Sequence, residues 1–137
     1  MSEITPQLFL GNENNARNLP WLRSKGITHI VNISQEVPNY FPGKFGYLNF
    51  KIDDIPSEAN NLAKNLYQIS LFIDSVINSG GKVLVHCRAG VSRSASVVIY
   101  YLMKKYKVPY TEALKYVRSK RWIVNPNPGF VQILRNI

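Results

Sequence analysis

Leu62, Leu66, Ile69, Ile73 and Ile77 step along the chain by four, three, four and four residues, the repeat of one helical face. Gly80-Gly81 end that helix, and Val83-Leu84-Val85 follows at once. A short apolar run with β-branched ends fits a strand buried on both faces, as in a parallel sheet. Upstream, Leu8-Phe9-Leu10 is a short strand ended by Gly11-Asn12, Ile27 to Ile33 is a second buried strand, and Tyr47 to Ile52 a third. A helix with Asn18 as its cap, Pro20 near its first turn and Gly26 after its end lies before Ile27. Gln35 to Lys44, with Pro38, Pro42 and Gly43, reads as a loop. Downstream, Ala95 to Lys105 is helical. Two further helices are expected around Ala113, Leu114 and Val117 and around Phe130, Val131, Ile133 and Leu134, separated by Pro126-Asn127-Pro128. Strands alternating with helices imply an α/β fold, a central and mostly parallel twisted sheet flanked by helices. The length suits one domain, taken as residues 1–137.

Composition narrows the function. One cysteine cannot form an internal disulfide or a multi-cysteine zinc site, so a disulfide scaffold is excluded. The N-terminus shows neither a basic region followed by an apolar one nor a glycine at position 2, so no signal peptide or myristoyl anchor is expected. No apolar run is long enough to span a membrane. A reducing cytoplasmic or nuclear compartment is therefore expected. The net charge is +9. Between residues 104 and 121, Lys104, Lys105, Lys107, Lys115, Arg118, Lys120 and Arg121 face only Glu112, which fits either a solvated helix face or an anionic partner. No nucleic-acid-binding motif accompanies them, and no nucleic acid partner is expected.

The cysteine lies in His86-Cys87-Arg88-Ala89-Gly90-Val91-Ser92-Arg93-Ser94, between a buried strand and a helix. A loop that enters a helix N-terminus aims unpaired amides and positive potential at one point. Gly90 lets the backbone curl close to a ligand. Arg93 presents a planar fork that matches two phosphate oxygens. Residues 88–93 then form a phosphate-sized nest with sulfur at its floor. The same environment favours the thiolate, an in-line nucleophile toward bound phosphorus. Ser94 can donate a hydrogen bond to that sulfur and ease its later departure. Taken alone, a cysteine after a buried strand is a small core residue; the glycine and arginine at this spacing argue for a reagent. Arg88 reads as a rim residue. His86 reads as a support that bonds the backbone, not as a base. Dephosphorylation also needs an acid for the leaving oxygen. The turn Asp53-Asp54 can supply one, or these residues can simply be turn and capping acids.

With these residues in place, the chain resembles the dual-specificity branch of the cysteine-dependent protein tyrosine phosphatases, as a member with little beyond the catalytic core. The signature His-Cys-x₅-Arg-Ser reads here as His86-Cys87 to Arg93-Ser94, with Ala89-Gly90-Val91-Ser92 inside it. Ile4 to Gly11, Gly26 to Asn32, Tyr100 to Met103, Glu112 to Leu114, Pro126-Asn127 and Gly129-Phe130 also resemble the family pattern. The resemblance implies a protein tyrosine phosphatase-like three-layer fold and a cysteinyl-phosphate intermediate. It implies Cys87, Arg93, Asp54 and Ser94 as catalytic residues, and residues Arg88, Ala89, Gly90, Val91, Ser92 and Arg93 as the phosphate cradle. It prefers Asp54 to Asp53 as the acid, and makes Asn32 and Asn127 loop supports. No metal or other cofactor is implied.

Two departures stand out. Trp122 follows Arg121 where the family often has proline, and Pro20 can split the first helix. The docking domain of kinase-directed members is not expected. Arg88 and Val91 stand where phosphoinositide-directed relatives carry two lysines, and the loop does not match that of RNA triphosphatases. The expected function is hydrolysis of phosphotyrosine, phosphoserine and phosphothreonine on phosphorylated proteins, by a monomer with no membrane anchor. The alternatives are phosphoinositide or RNA 5′-phosphate hydrolysis, and a phosphoprotein-binding module without catalysis.

Overall fold

The computed structural model describes residues 1–137. Five strands, β1 (Ser2–Thr5), β2 (Leu8–Gly11), β3 (His29–Ile33), β4 (Gly46–Phe50) and β5 (Val83–His86), form one sheet in the order β1-β2-β5-β3-β4. β5 lies at the centre and runs parallel to β2 and β3; β4 is parallel to β3, and only β1 is antiparallel. The mostly parallel sheet expected from the alternation is present. β1 escaped the sequence reading because Ile4 is its one apolar residue. It is held by a short hairpin in which Thr5 pairs with Leu8.

The strands divide their side chains by the two-residue period of the pleat. Leu8, Leu10, Val31, Ile33, Val83 and Val85 enter one buried cluster, while Phe9, Ile30 and Leu84 enter another on the opposite face. Four helices cover the first face: α3 (Ala59–Asn78), α4 (Arg93–Tyr106), α5 (Tyr110–Lys120) and α6 (Pro128–Arg135). The short helices α1 (Glu13–Ala16) and α2 (Leu19–Ser24) cover the second. Pro20 does not split the helix capped by Asn18: α2 runs through it, and α1 is a separate turn before the cap. Asn12 and Asn15 make a reciprocal capping box on α1. Asn18 caps α2, whose first turn accommodates Pro20 because no amide is needed there.

In α3 the buried stripe is Leu62, Leu66, Ile69, Ile73 and Val76. Ile77, the fifth member of the expected stripe, is only half-buried, because the 3.6-residue turn brings Val76 round to the core first. α4 is the central helix, buried without a break from Arg93 to Met103. It ends without a glycine: Lys107 takes the left-handed conformation, φ 54°, and its amide bonds Met103 O. No helix is long and apolar enough to cross a membrane.

This architecture places the site. The carboxyl end of the central strand β5 and the amino end of the central helix α4 are joined by residues 87–92. Parallel α/β sheets bind ligands at such strand ends. Two surface clefts of about 370 Å³ lie elsewhere, one among Leu102, Tyr106, Val108 and Tyr116, the other beside Asp74, Tyr100 and Lys104. Neither is lined by a residue of the 87–93 loop.

Candidate active site

The loop after β5 is fixed from outside through its carbonyls. His86 Nδ1 lies 3.2 Å from Cys87 O, and since a carbonyl only accepts, that nitrogen carries the proton. Arg88 O accepts from the Glu13 amide at 2.9 Å. Ala89 O and Gly90 O accept from Arg121 at 3.2 and 2.8 Å. Val91 O accepts from the Asn125 amide at 2.8 Å, and Ser92 O from the Ser96 amide and hydroxyl at 2.8 and 2.7 Å. Every carbonyl from 87 to 92 is thus engaged.

All peptide bonds are trans, and in a trans peptide the next N–H points opposite to the C=O. The amides of residues 88–93 therefore turn away from these anchors, toward the inside of the loop. Gly90 makes the curl possible at φ +67°; a Cβ there would stand 2.6 Å from Gly11 O and 2.7 Å from Arg121 Nη2.

Cys87 is 2% exposed at the floor of the loop, with its Sγ 3.0 Å from Ser94 Oγ. Arg93 is also buried. Its Nη1 donates to Glu36 Oε1 at 2.7 Å and to Ile52 O at 2.9 Å, and its Nη2 donates to Glu36 Oε2 at 2.8 Å. Those bonds use three of the guanidinium's five hydrogens. Nε–H is buried with no partner, and one Nη2 hydrogen remains beside it. The unfilled edge is the Nε/Nη2 fork, which matches two oxygens of one phosphate.

Burial alone would lower the Arg93 pKa. The Glu36 bonds, then the charges of Cys87, Glu36 and Asp54, reverse this and raise it. Arg93 in turn holds Glu36 at about 2 through its hydrogen bonds. Burial takes His86 down to about 4, helped by repulsion from Arg93, so this ring is neutral near pH 7. Burial also lowers Arg121, while Cys87 works against that shift.

Asp54 Oδ1 accepts from Asn127 Nδ2 at 2.9 Å, and Asn127 Oδ1 caps α6 at the Phe130 amide. The loop carrying Asp54 is pressed against α6 so closely that a Cβ on Gly129 would collide with Pro56. Asp53 is half-buried, and its amide bonds Glu58. Asp54, not Asp53, is among the charges felt by Arg93.

Cys87, Arg93, Asp54, Ser94 and His86 thus come together with residues 88–92. The basic stretch 104–121 does so only at its end. Lys105 pairs with Asp74 at 3.0 Å, at the far end of α4, while Arg121 alone touches the loop. Glu36 was not singled out by sequence reasoning, because an acid inside a proline-rich loop has no spacing that marks it. Its position comes from Asn32, buried in β3, which donates to Val37 O at 2.7 Å and so ties down that loop. No three His, Cys, Asp or Glu side chains converge to form a metal site.

The model of the dual specificity phosphatase catalytic domain matches residues 8–137. The chain belongs to the dual specificity phosphatase family. It is 44% identical over 134 residues to the Slingshot homolog protein phosphatase of Xenopus laevis, covering 98% of this chain and 19% of that one. Dual specificity protein phosphatase 2 of mouse is 40% identical over 94% of this chain and 40% of its own. The chain therefore spans well under half the length of these relatives. The crystal structure of human tyrosine phosphatase-like serine/threonine/tyrosine-interacting protein superposes with a TM-score of 0.94 at 42% identity, over 99% of this chain and 93% of that one.

Proposed function

We propose that this dual specificity phosphatase domain, residues 1–137, hydrolyses phosphotyrosine, phosphoserine and phosphothreonine on proteins, acting as a monomer in a reducing cytoplasmic or nuclear compartment. The observation that carries the reading is the set of unspent donors around one sulfur. The carbonyls of residues 87–92 are all bonded to groups outside the loop, and the buried Arg93 Nε, on a guanidinium whose charge is coupled to Cys87, has no partner. Such preformed donors stabilise the equatorial oxygens of a transferring phosphoryl group, where charge spreads in the transition state.

Cys87 Sγ attacks phosphorus as the thiolate, and the bond from phosphorus to the substrate oxygen breaks. Asp54 gives its proton to that oxygen, which leaves as the alcohol or phenol. A water then attacks the cysteinyl phosphate and loses a proton to Asp54. The P–S bond breaks, inorganic phosphate departs, and Ser94 donates a hydrogen bond to the thiolate 3.0 Å away. Asn127 and Glu36 are positioning residues for Asp54 and Arg93.

Steady-state and burst kinetics on phosphotyrosine and phosphothreonine peptides test this. Cys87→Ser is expected to abolish turnover. Asp54→Ala should lower kcat by about 100-fold or more, and Asp53→Ala should leave it nearly unchanged. Turnover by Cys87→Ser would refute the nucleophile, and the reverse aspartate result would move the acid.

A further inference from the structure

Residues 121–127 follow the phosphate loop step by step. Arg121 bonds the carbonyls of Ala89 and Gly90, the Asn125 amide bonds Val91 O, and the Asn127 amide bonds Ser92 Oγ at 2.9 Å. The Asn127 side chain then reaches Asp54. This segment is the rim between the anion nest and the acid. Within it the Val124 amide closes a tight turn on Arg121 O at 3.2 Å, which puts Trp122 at the first central position. Val124 is 1% exposed and anchors the turn from below. Trp122 is 84% exposed, more than any other large apolar side chain of the molecule.

The neighbouring cations are committed elsewhere. Arg121 is spent on Ala89 O, Gly90 O and Ser2 Oγ, Arg118 Nε bonds Val124 O at 2.9 Å, and the Lys120 ammonium lies 5.7 Å from the centroid of the Tyr116 ring. On this segment the exposed apolar group is the Trp122 ring, while Arg118, Lys120 and Arg121 each hold a partner within the protein. Indole presented in this way is a strong anchor for apolar contacts.

We propose that Trp122 is a specificity-determining residue that packs against an apolar side chain flanking the phosphoresidue of a protein substrate. The inference rests on the phosphatase reading above. Two matched phosphotyrosine peptides test it, one with leucines flanking the phosphoresidue and one with glycines. The wild-type protein should favour the leucine peptide about tenfold in kcat/KM, mostly through KM, which corresponds to about 1.4 kcal/mol. Trp122→Ala should bring that ratio to about one, and Trp122→Phe should restore most of it. A ratio unchanged in Trp122→Ala overturns the proposal. So does Trp122-dependent binding to phosphatidylserine-containing vesicles together with an unchanged peptide ratio. Absence of turnover on both peptides would refute the phosphatase reading instead. Titration of the two peptides into Cys87→Ser and Cys87→Ser/Trp122→Ala then still decides the role of Trp122 by affinity.

Discussion

Glu36→Gln keeps the length of the side chain but places an NH₂ group where one carboxylate oxygen now accepts from Arg93. Both Glu36 contacts are with Arg93 donors, at 2.7 and 2.8 Å. In the variant, one of the two faces a donor with a donor and is lost. The fall in the Glu36 pKa from 4.5 to about 2 corresponds, without screening, to about 3 kcal/mol. Glu36 is 38% exposed, so solvent reduces the coupling to about 1–2 kcal/mol. If this coupling orients the Nε/Nη2 fork, kcat/KM should fall about 5- to 30-fold. Urea unfolding should show a loss of similar size at pH 7. The sign with pH follows from the depressed carboxyl. Its contribution is complete above about 4.5 and disappears as pH falls toward about 2. The stability gap between wild type and Glu36→Gln should therefore close across that window. A gap independent of pH, or a kcat/KM within twofold of wild type, would refute the assignment of Glu36 as the residue that holds Arg93.

Two further outcomes can be measured. Burial keeps His86 neutral down to about 4, against 6.5 when unfolded, so below pH 6.5 only the unfolded chain gains this proton. Stability should drop between pH 6.5 and 4 by at most about 3 kcal/mol, and His86→Gln should flatten that part of the urea-derived profile; an unaltered slope in the variant would count against it. Gly129→Ala should force the Pro56 backbone, and Asp54 with it, away from α6. Hydrolysis of phosphoserine, whose alkoxide depends most on the acid, should then fall more than hydrolysis of phosphotyrosine. Equal losses on both substrates would show that the acid has not moved.

The parts of this protein that depend on neighbouring residues were legible in its sequence. β5, the loop 86–94 and α4 are consecutive, so the strand–loop–helix geometry and the placement of Ser94 beside Cys87 follow from local order. The α/β class came from periodicity, since a buried parallel strand and an amphipathic helix each write a repeat into the chain. Short elements wrote none. β1 has a single buried apolar residue, and α1 is one turn held by Asn12 and Asn15. The tertiary structure alone decided what fills the space around the loop. Glu36 lies 57 residues from Arg93, and Asp54 lies 73 from Asn127. Arg121 reaches back 31 residues to Gly90. Side-chain hydrogen bonds over such separations carry no periodicity, because the sheet order and the packing of α6 bring the partners together. The sequence by itself determined the strand–loop–helix order that holds Cys87, Arg93 and Ser94 together, while folding selected the distant groups that bond to them, because those partners meet only when the sheet and α6 are packed.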